Sequence, residues 1–431
     1  MKKLPLHLKI LLGMLLGVLF GLLISQFEWG KGLIVYWIKP FGTIFINVLK
    51  LIAVPLILAS LIKGVSDLKD ITQLSSMGGR TIGLYLLTTI TAVTIGLSIV
   101  NVIKPGNTIS NETRTELLSA YASDAAAKQS FAAAQKESGP LQALVDLVPS
   151  NIFAAMQDNS NMLQVIFFAI FFGIGIVLIP PKKSQHVKDF FDALNEVILK
   201  LIDLIMIAAP YGVFALLAAL VAEAPSAELF KALGLYTITV LLGLLCMTLF
   251  YLILVRFITG KKIGFFLRGI SPAQLLAFST SSSAATLPVT MERVHEHLGV
   301  DEDVSSFVLP IGATINMDGT SLYQAVAAVF IAQTFGMDLN LGAQLGIIAT
   351  ATLASIGSAA VPGAGMVMLV IVLAQAGIPE AGLALIFAVD RPLDMCRTAV
   401  NITGDASVSL MVAKWLGKLG KPKVKNRDDH Y

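Results

Sequence analysis

The chain has 431 residues, of which 55% are hydrophobic and only 14% are charged, and its mean hydropathy is +0.79. Soluble globular chains carry about 25% charged residues, so the composition excludes a soluble domain and reads as an all-α integral membrane protein. The net charge of +3 is accounted for by membrane topology rather than nucleic acid, and two cysteines in apolar helices, Cys246 and Cys396, support neither a disulfide framework nor a zinc site.

The first apolar run follows Lys2, Lys3 and Lys9 and lacks a small-residue cleavage site, so it reads as a retained first span. Apolar segments of spanning length fall near 9–25, 39–62, 81–103, 164–180, 193–221, 229–258, 305–335 and 380–413. Two more, 264–291 and 342–375, are apolar but broken at their centres. The first carries STSSSAATLP (Ser279–Pro288) and the second ASIGSAAVPGAG (Ala354–Gly365). Pro and Gly break a helical ladder, and irregular backbone at membrane depth must be buried in protein or line a cavity. Both segments therefore read as re-entrant helical hairpins whose tips meet inside the protein. With eight spans and two hairpins that do not cross, the dense lysines and arginines fall on one side. Both termini are then cytoplasmic, and the polar segment 106–146 is an external loop.

Further motifs follow along the chain. YLLTT, containing Tyr85, Thr88 and Thr89, reads on its own as helix whose hydroxyls bond back to carbonyls one turn earlier. His295 and His297 sit in a short polar connection, where a solvated loop is the simpler reading than a metal site. NMDGT (Asn316–Thr320) interrupts the seventh span. A Gly beside an Asp there points to local unwinding, and freed carbonyls with a carboxylate suit a hard cation; a kink satisfied by neighbouring helices is the alternative. Hairpin plus polar-centred helix occurs twice, as an inverted repeat around a midplane site would.

The last span holds the densest signal. Asp394, Arg397, Thr398, Asn401 and Asp405 fall at i, i+3, i+4, i+7 and i+11, one stripe on an otherwise apolar helix. Each charge at a bilayer centre costs about 2.5–3.5 kcal/mol on insertion scales, so the stripe must face protein, water or ligand. Arg391, beside Asp390, either reaches back to the same carboxylates or is solvated at the helix mouth. The basic tail reads as anchoring on the cytoplasmic side. Polarity concentrated in two hairpins and two helices argues against a pore. The absence of a nucleophile–base pair argues against an enzyme.

NMDGT, the serine-rich hairpin, ASIGSAAVPGAG and DMCRTAVNITGD together resemble the dicarboxylate/amino acid:cation symporter family over nearly the whole chain. The resemblance implies that Arg397 pairs with the side-chain carboxylate of aspartate or glutamate and that Asp394 receives its ammonium. Thr398, Asn401 and Thr320 would complete the contacts. Ser282 and Ser283 would hold the α-carboxylate, and Val361, Pro362 and Gly365 would form the second-hairpin tip that closes over the substrate. For co-transported sodium it implies Asp405 with backbone near Asn316 and Asn401. It also implies Thr314, Ser355, Ile356 and Ser358 under the second hairpin, and Tyr85, Thr88 and Thr89 with Asn316 and Asp318. Asp394 with Arg397 favours an acidic amino acid over a C4-dicarboxylate; proton coupling is the closest rival. Ser281 and Met395 are neutral here where relatives carry an arginine, and Ala360 replaces a glycine.

The implied architecture is an elevator-type carrier in the inner (plasma) membrane lipid bilayer, working as a homotrimer. Scaffold segments would be 1–80 and 149–225. The transport domain would be 81–103 and 226–416, with an external loop at 104–148 and a cytoplasmic tail at 417–431.

Overall fold

The computed structural model describes residues 6–66, 77–110, 112–115, 148–157, 161–223, 227–356, 360 and 363–423. Most of the expected external loop, and Ser358, Val361 and Pro362, lie outside them. The described residues form helices and no strand beyond one isolated bridge, Val300 to Leu419. The principal helices are α1 (Leu6–Ile24), α2 (Lys39–Ser66), α3 (Gly79–Ile103), α4 (Met162–Leu178), α5 (Pro181–Glu223) and α6 (Ala227–Leu254). There follow α7 (Ile263–Thr280), α8 (Ser283–Glu292), α9 (Glu302–Ile315), α10 (Asp318–Thr334), α11 (Leu341–Ile356), α12 (Ala364–Gln375) and α13 (Leu383–Trp415).

Among the described residues, three helical runs are by themselves long and apolar enough to cross a membrane: Gly30–Lys63, Gly79–Thr108 and Glu228–Thr259. Within α5, Pro181–Ile202 and Ile207–Ala222 form a further pair bent by 47°. The sequence places this span at 193–221, yet the helix starts twelve residues earlier, at Pro181. Its first turns carry Lys182, Lys183, Lys188 and Asp189, which a hydropathy reading discards although they are helical. The apolar segment 305–335 is two helices, because Asn316 and Met317 leave helical geometry between α9 and α10.

Both broken segments are helical pairs. Helices α7 and α8 pack together across Ser281, which adopts a left-handed conformation at φ 51°. Helices α11 and α12 do the same, and Gly363 (φ 83°) precedes α12. The hairpins touch at their tips, where the Ser282 hydroxyl donates to the Ala360 carbonyl at 2.6 Å.

Helix packing falls into two groups. Helix α5 lies against α1 and α2, and α2 also packs on α4. Gly13, Gly17 and Gly21 of α1 repeat every fourth residue, and a Cβ on Gly17 would stand 2.5 Å from the Phe214 carbonyl oxygen of α5. Small residues at this spacing let two membrane helices approach backbone to backbone. In the second group α13 is the hub, with α6, α7, α9 and α10 around it. All of α10 except Gln333 is buried, so this helix is enclosed all round and serves as core, its polar residues paired with neighbouring helices.

Residues 416–423 bond back onto the protein. The Lys418 carbonyl accepts from the Asp301 N–H, Gly420 N–H donates to Gly299, and Lys423 N–H donates to Glu296. The Lys418 ammonium lies 2.7 Å from Asp303 and holds its carboxyl below the ordinary carboxylate range. The tail thus ties the end of α13 to the start of α9.

Gly17→Val is expected to destabilise the protein by about 1–3 kcal/mol through overpacking against α5. Thermal unfolding in detergent checks this, and an unchanged melting temperature would disprove the close approach.

Candidate functional site

The stripe on α13 faces the second helix group. Arg397 is fully buried. Its Nη2 donates to Asp390 at 3.0 Å and to Asp394 at 2.8 Å, and its Cζ lies 3.7 Å from the centre of the Tyr323 ring. A guanidinium held this way gains both charge-assisted hydrogen bonds and a cation–π contact. Among the described residues Nη1 and Nε are buried without a partner. Gly365 faces them: a Cβ there would be 3.7 Å from Nη1 and 3.1 Å from the Thr320 methyl. The absence of that Cβ leaves a slot beside two unused donors.

Asp394 is engaged on both oxygens. Oδ1 accepts from Arg397, while Oδ2 accepts from Arg391 Nη1 at 3.2 Å and from the Gly363 N–H at 3.3 Å. Thr398 donates back to the Asp394 carbonyl. Asn401 accepts from the Gly319 N–H at 2.8 Å and donates to the Thr320 hydroxyl at 3.3 Å, joining the stripe to the first turn of α10. Ser282 caps α8 and reaches the other hairpin, while Ser283 is buried as the first residue of α8.

A second polar cluster lies further along α13. Asp405 accepts from Asn316 Nδ2 at 2.9 Å, and Asn316 Oδ1 has no partner. Asp318 accepts from Thr89 at 2.5 Å and from the Tyr251 hydroxyl of α6. The Tyr85 hydroxyl donates to the Val308 carbonyl. A Cβ on Gly312 would fall 2.4 Å from that hydroxyl and 2.5 Å from Asp405 Oδ1, so only glycine admits both groups. The hydroxyls of Thr88 and Thr89 do bond back to Tyr85, as the helix-filler reading expects, but Thr89 also donates to Asp318. Among the described residues neither Asp318 nor Asp405 has a salt-bridge partner. Two buried carboxylates, an amide oxygen and hydroxyls make an oxygen-only set, the chemistry that hard cations require.

The third expected set is not assembled to the same degree. The Ser355 hydroxyl donates to the Ile315 carbonyl at 3.3 Å, bringing α11 to the break, and Ile356 ends α11. Thr314 is exposed, and its hydroxyl bonds to Ile311 and Pro310 one turn back.

Sequence reasoning missed Tyr251, Tyr323, Gln324 and the part played by Asp390. Tyr251 sits in a wholly apolar stretch, and nothing local marks it. Gln324 donates to the Gly365 carbonyl at 3.3 Å, across helices. Asp390 was detectable, since it stands four residues before Asp394 and extends the stripe by one turn. The expectation of a solvated loop at HEH is overturned. Residues Arg293–His297 form a π-helical turn, and His297 is buried with Nε2 2.8 Å from Nη1 of the buried Arg293. The side chains of Glu292, Glu296 and His297 converge there, but Arg293 already occupies that nitrogen.

Among the described residues, apolar helices of spanning length surround buried ion pairs and an oxygen cluster, the makeup of an all-α integral membrane protein. The chain matches the sodium:dicarboxylate symporter family over residues 6–415 and belongs to it. It is 35% identical over 393 residues to a proton/glutamate-aspartate symporter of Escherichia coli (strain K12), covering 91% of this chain and 88% of that one. It is 32% identical over 435 residues to a proton/sodium-glutamate symport protein of Geobacillus stearothermophilus, covering 99% and 98%. Against excitatory amino acid transporter 3 of Homo sapiens it is 38% identical over 425 residues, covering 90% and 80%. The protein is a symporter and not an enzyme.

Tyr251→Phe removes one donor from the buried Asp318. The expected loss is about 1.5–3 kcal/mol, the usual worth of a hydrogen bond to a charged group. Thermal unfolding of the purified protein in cation-free buffer measures it.

Proposed function

We propose that this chain imports aspartate or glutamate by symport with sodium. The observation that carries the reading is the buried Arg397 guanidinium, with Nη1 and Nε unused beside Asp394. A planar fork with free N–H groups receives a carboxylate, and a neighbouring carboxylate receives an ammonium. Together they match an acidic amino acid, with Arg397 on the side-chain carboxylate and Asp394 on the amine. Thr320, Thr398 and Asn401 would contact the amino-acid frame, Ser282 and Ser283 the α-carboxylate, and Val361, Pro362 and Gly365 would close over it. The names of the relatives, which include glutamate and aspartate symporters, support this choice. A C4-dicarboxylate lacks the amine that Asp394 is placed to receive.

Sodium is cargo in this reading. The oxygen-only cluster of Asp318, Asp405, Asn316, Thr89 and Tyr85 supports it, with Thr88 and Asn401 adjacent and Thr314, Ser355, Ile356 and Ser358 as a further site. Moving one negative charge against 100 mV costs about 2.3 kcal/mol, and two or more co-moved cations reverse that sign. Proton coupling is the second reading. It is favoured by the unpaired Asp318 and Asp405, either of which can take a proton, and by the name of the E. coli relative.

The carrier sits in the plasma membrane with both termini cytoplasmic, as eight spans and two re-entrant hairpins in an elevator-type homotrimer. The dense packing of α5 with α1 and α2, apart from the group around α13, supports a division into scaffold and transport domain.

Proteoliposome uptake of labelled aspartate, glutamate and succinate, with sodium and proton gradients imposed separately, tests the function. Aspartate or glutamate uptake driven by sodium alone is expected; uptake that responds only to the proton gradient selects the second reading. Arg397→Ala is expected to abolish aspartate uptake, and intact aspartate affinity would remove the side-chain assignment. Asp405→Asn is expected to raise the sodium concentration for half-maximal uptake by about tenfold or more, one lost interaction with a charged group. An unchanged sodium titration would count against that site.

A further inference from the structure

We propose that Arg391 is a tethered competitor for the substrate ammonium and so sets how strongly the carrier prefers amine-bearing over amine-free dicarboxylates. The proposal rests on the reading of Asp394 as the ammonium acceptor. Arg391 is not a solvated arginine at a helix mouth. It is only 9% exposed, its Nε is buried without a partner, and its Nη1 lies 3.2 Å from Asp394 Oδ2. That oxygen faces away from Arg397, which holds Oδ1. The carboxylate meant for an ammonium thus carries a cation on the oxygen that Arg397 does not hold.

The two guanidiniums are held very differently. Arg397 makes two short contacts, at 2.8 and 3.0 Å, under the Tyr323 ring. Arg391 makes one, at 3.2 Å, longer than the roughly 2.7–2.9 Å of a strong charge-assisted bond. Arg391 is therefore the group that yields. Its flexible stem lets the head swing aside while a compact ammonium takes Oδ2. Asp390 and Asp394 are offset by Arg397 and Arg391 in this structure, and a bound acidic amino acid would put its ammonium on Asp394 in place of Arg391.

Two consequences have opposite signs. An amino acid must displace Arg391, so removing the positive charge tightens its binding. A dicarboxylate such as succinate displaces nothing and relies on Arg391 to neutralise Asp394, so removing that charge weakens it. An arginine that merely positioned Asp394 would, when lost, weaken aspartate instead.

The test compares the full-length wild type with Arg391→Gln and Arg391→Lys, measuring inhibition of labelled-aspartate uptake by unlabelled aspartate and by succinate in proteoliposomes. For Arg391→Gln the aspartate constant is expected to fall about fivefold, the effect of one modest interaction, while the succinate constant rises. Arg391→Lys, which keeps the charge, is expected to retain the wild-type ratio. An aspartate constant that rises or stays put in Arg391→Gln overturns the proposal, as does a parallel shift for both ligands. If Arg391→Gln does not fold, Arg391→Cys modified with a cationic or a neutral methanethiosulfonate gives the same comparison. Equal aspartate-to-succinate ratios for the two adducts overturn the proposal. Failure of the wild type to take up aspartate under either gradient is a failure of the function reading, separate from these outcomes.

Discussion

The structure is organised around a guanidinium buried where no water reaches it. A lone cation in an apolar interior is prohibitively costly, and removing one partner of a buried pair costs about 3–5 kcal/mol. Arg397 therefore dictates its surroundings: Asp390 one face-length upstream, Asp394 one turn away, and the Tyr323 ring above it. The same requirement explains why Gly365 is glycine, since any side chain would fill the slot beside the free Nη1. A cation held on one nitrogen with two others left over is compensated in charge but incomplete in hydrogen bonding. That incompleteness is what a carboxylate ligand can satisfy.

The broken helices serve the same end. A continuous helix turns its backbone groups inward, whereas a helix start presents free N–H groups. Helices α10 and α12 start against the α13 stripe, and α8 starts at the tip of the second hairpin. Ser282 caps α8, Asn401 accepts from Gly319 in α10, and the Gly363 N–H before α12 points at Asp394. Asp318 in the first turn of α10 is also favourably placed against the positive end of the helix dipole. The site is thus built from helix ends laid against one helix side.

The sequence made legible what depends on local pattern. The α13 stripe follows from spacing alone, and the Gly, Pro and Ser clusters mark both hairpin breaks and the unwound Asn316–Met317. Features that depend on which helices meet were invisible. Tyr251 lies in an unbroken apolar run, and only the approach of α6 to Asp318 gives it meaning. The charged start of α5 resembles a loop because periodic charges on a helix that leaves the apolar layer carry no hydropathy signal. The tail beyond Trp415 looks like simple basic anchoring until its backbone bonds to residues 296–301 are seen. His297 was misplaced for a related reason, since its partner is the buried Arg293 one turn earlier, a pairing that no local pattern marks.

One asymmetry bears on how such a site can work. The polar contacts of Asp318, Asp390, Asp394, Arg397, Asn401 and Asp405 run to α3, α6, α9, α10, the start of α12, or α13 itself. The named contact from α13 to the other helix group is of another kind, the Phe387 ring 5.2 Å from the Phe45 ring of α2. Apolar contacts are non-directional, so one such surface can be exchanged for another at small cost, whereas buried ion pairs cannot be broken cheaply. A body whose described polar contacts at the stripe run within itself, and whose α13 meets α2 through an apolar ring pair, can move as a unit. That is the physical condition an elevator-type mechanism imposes, and it is why the division between α1, α2, α4 and α5 and the helices around α13 supports that proposal.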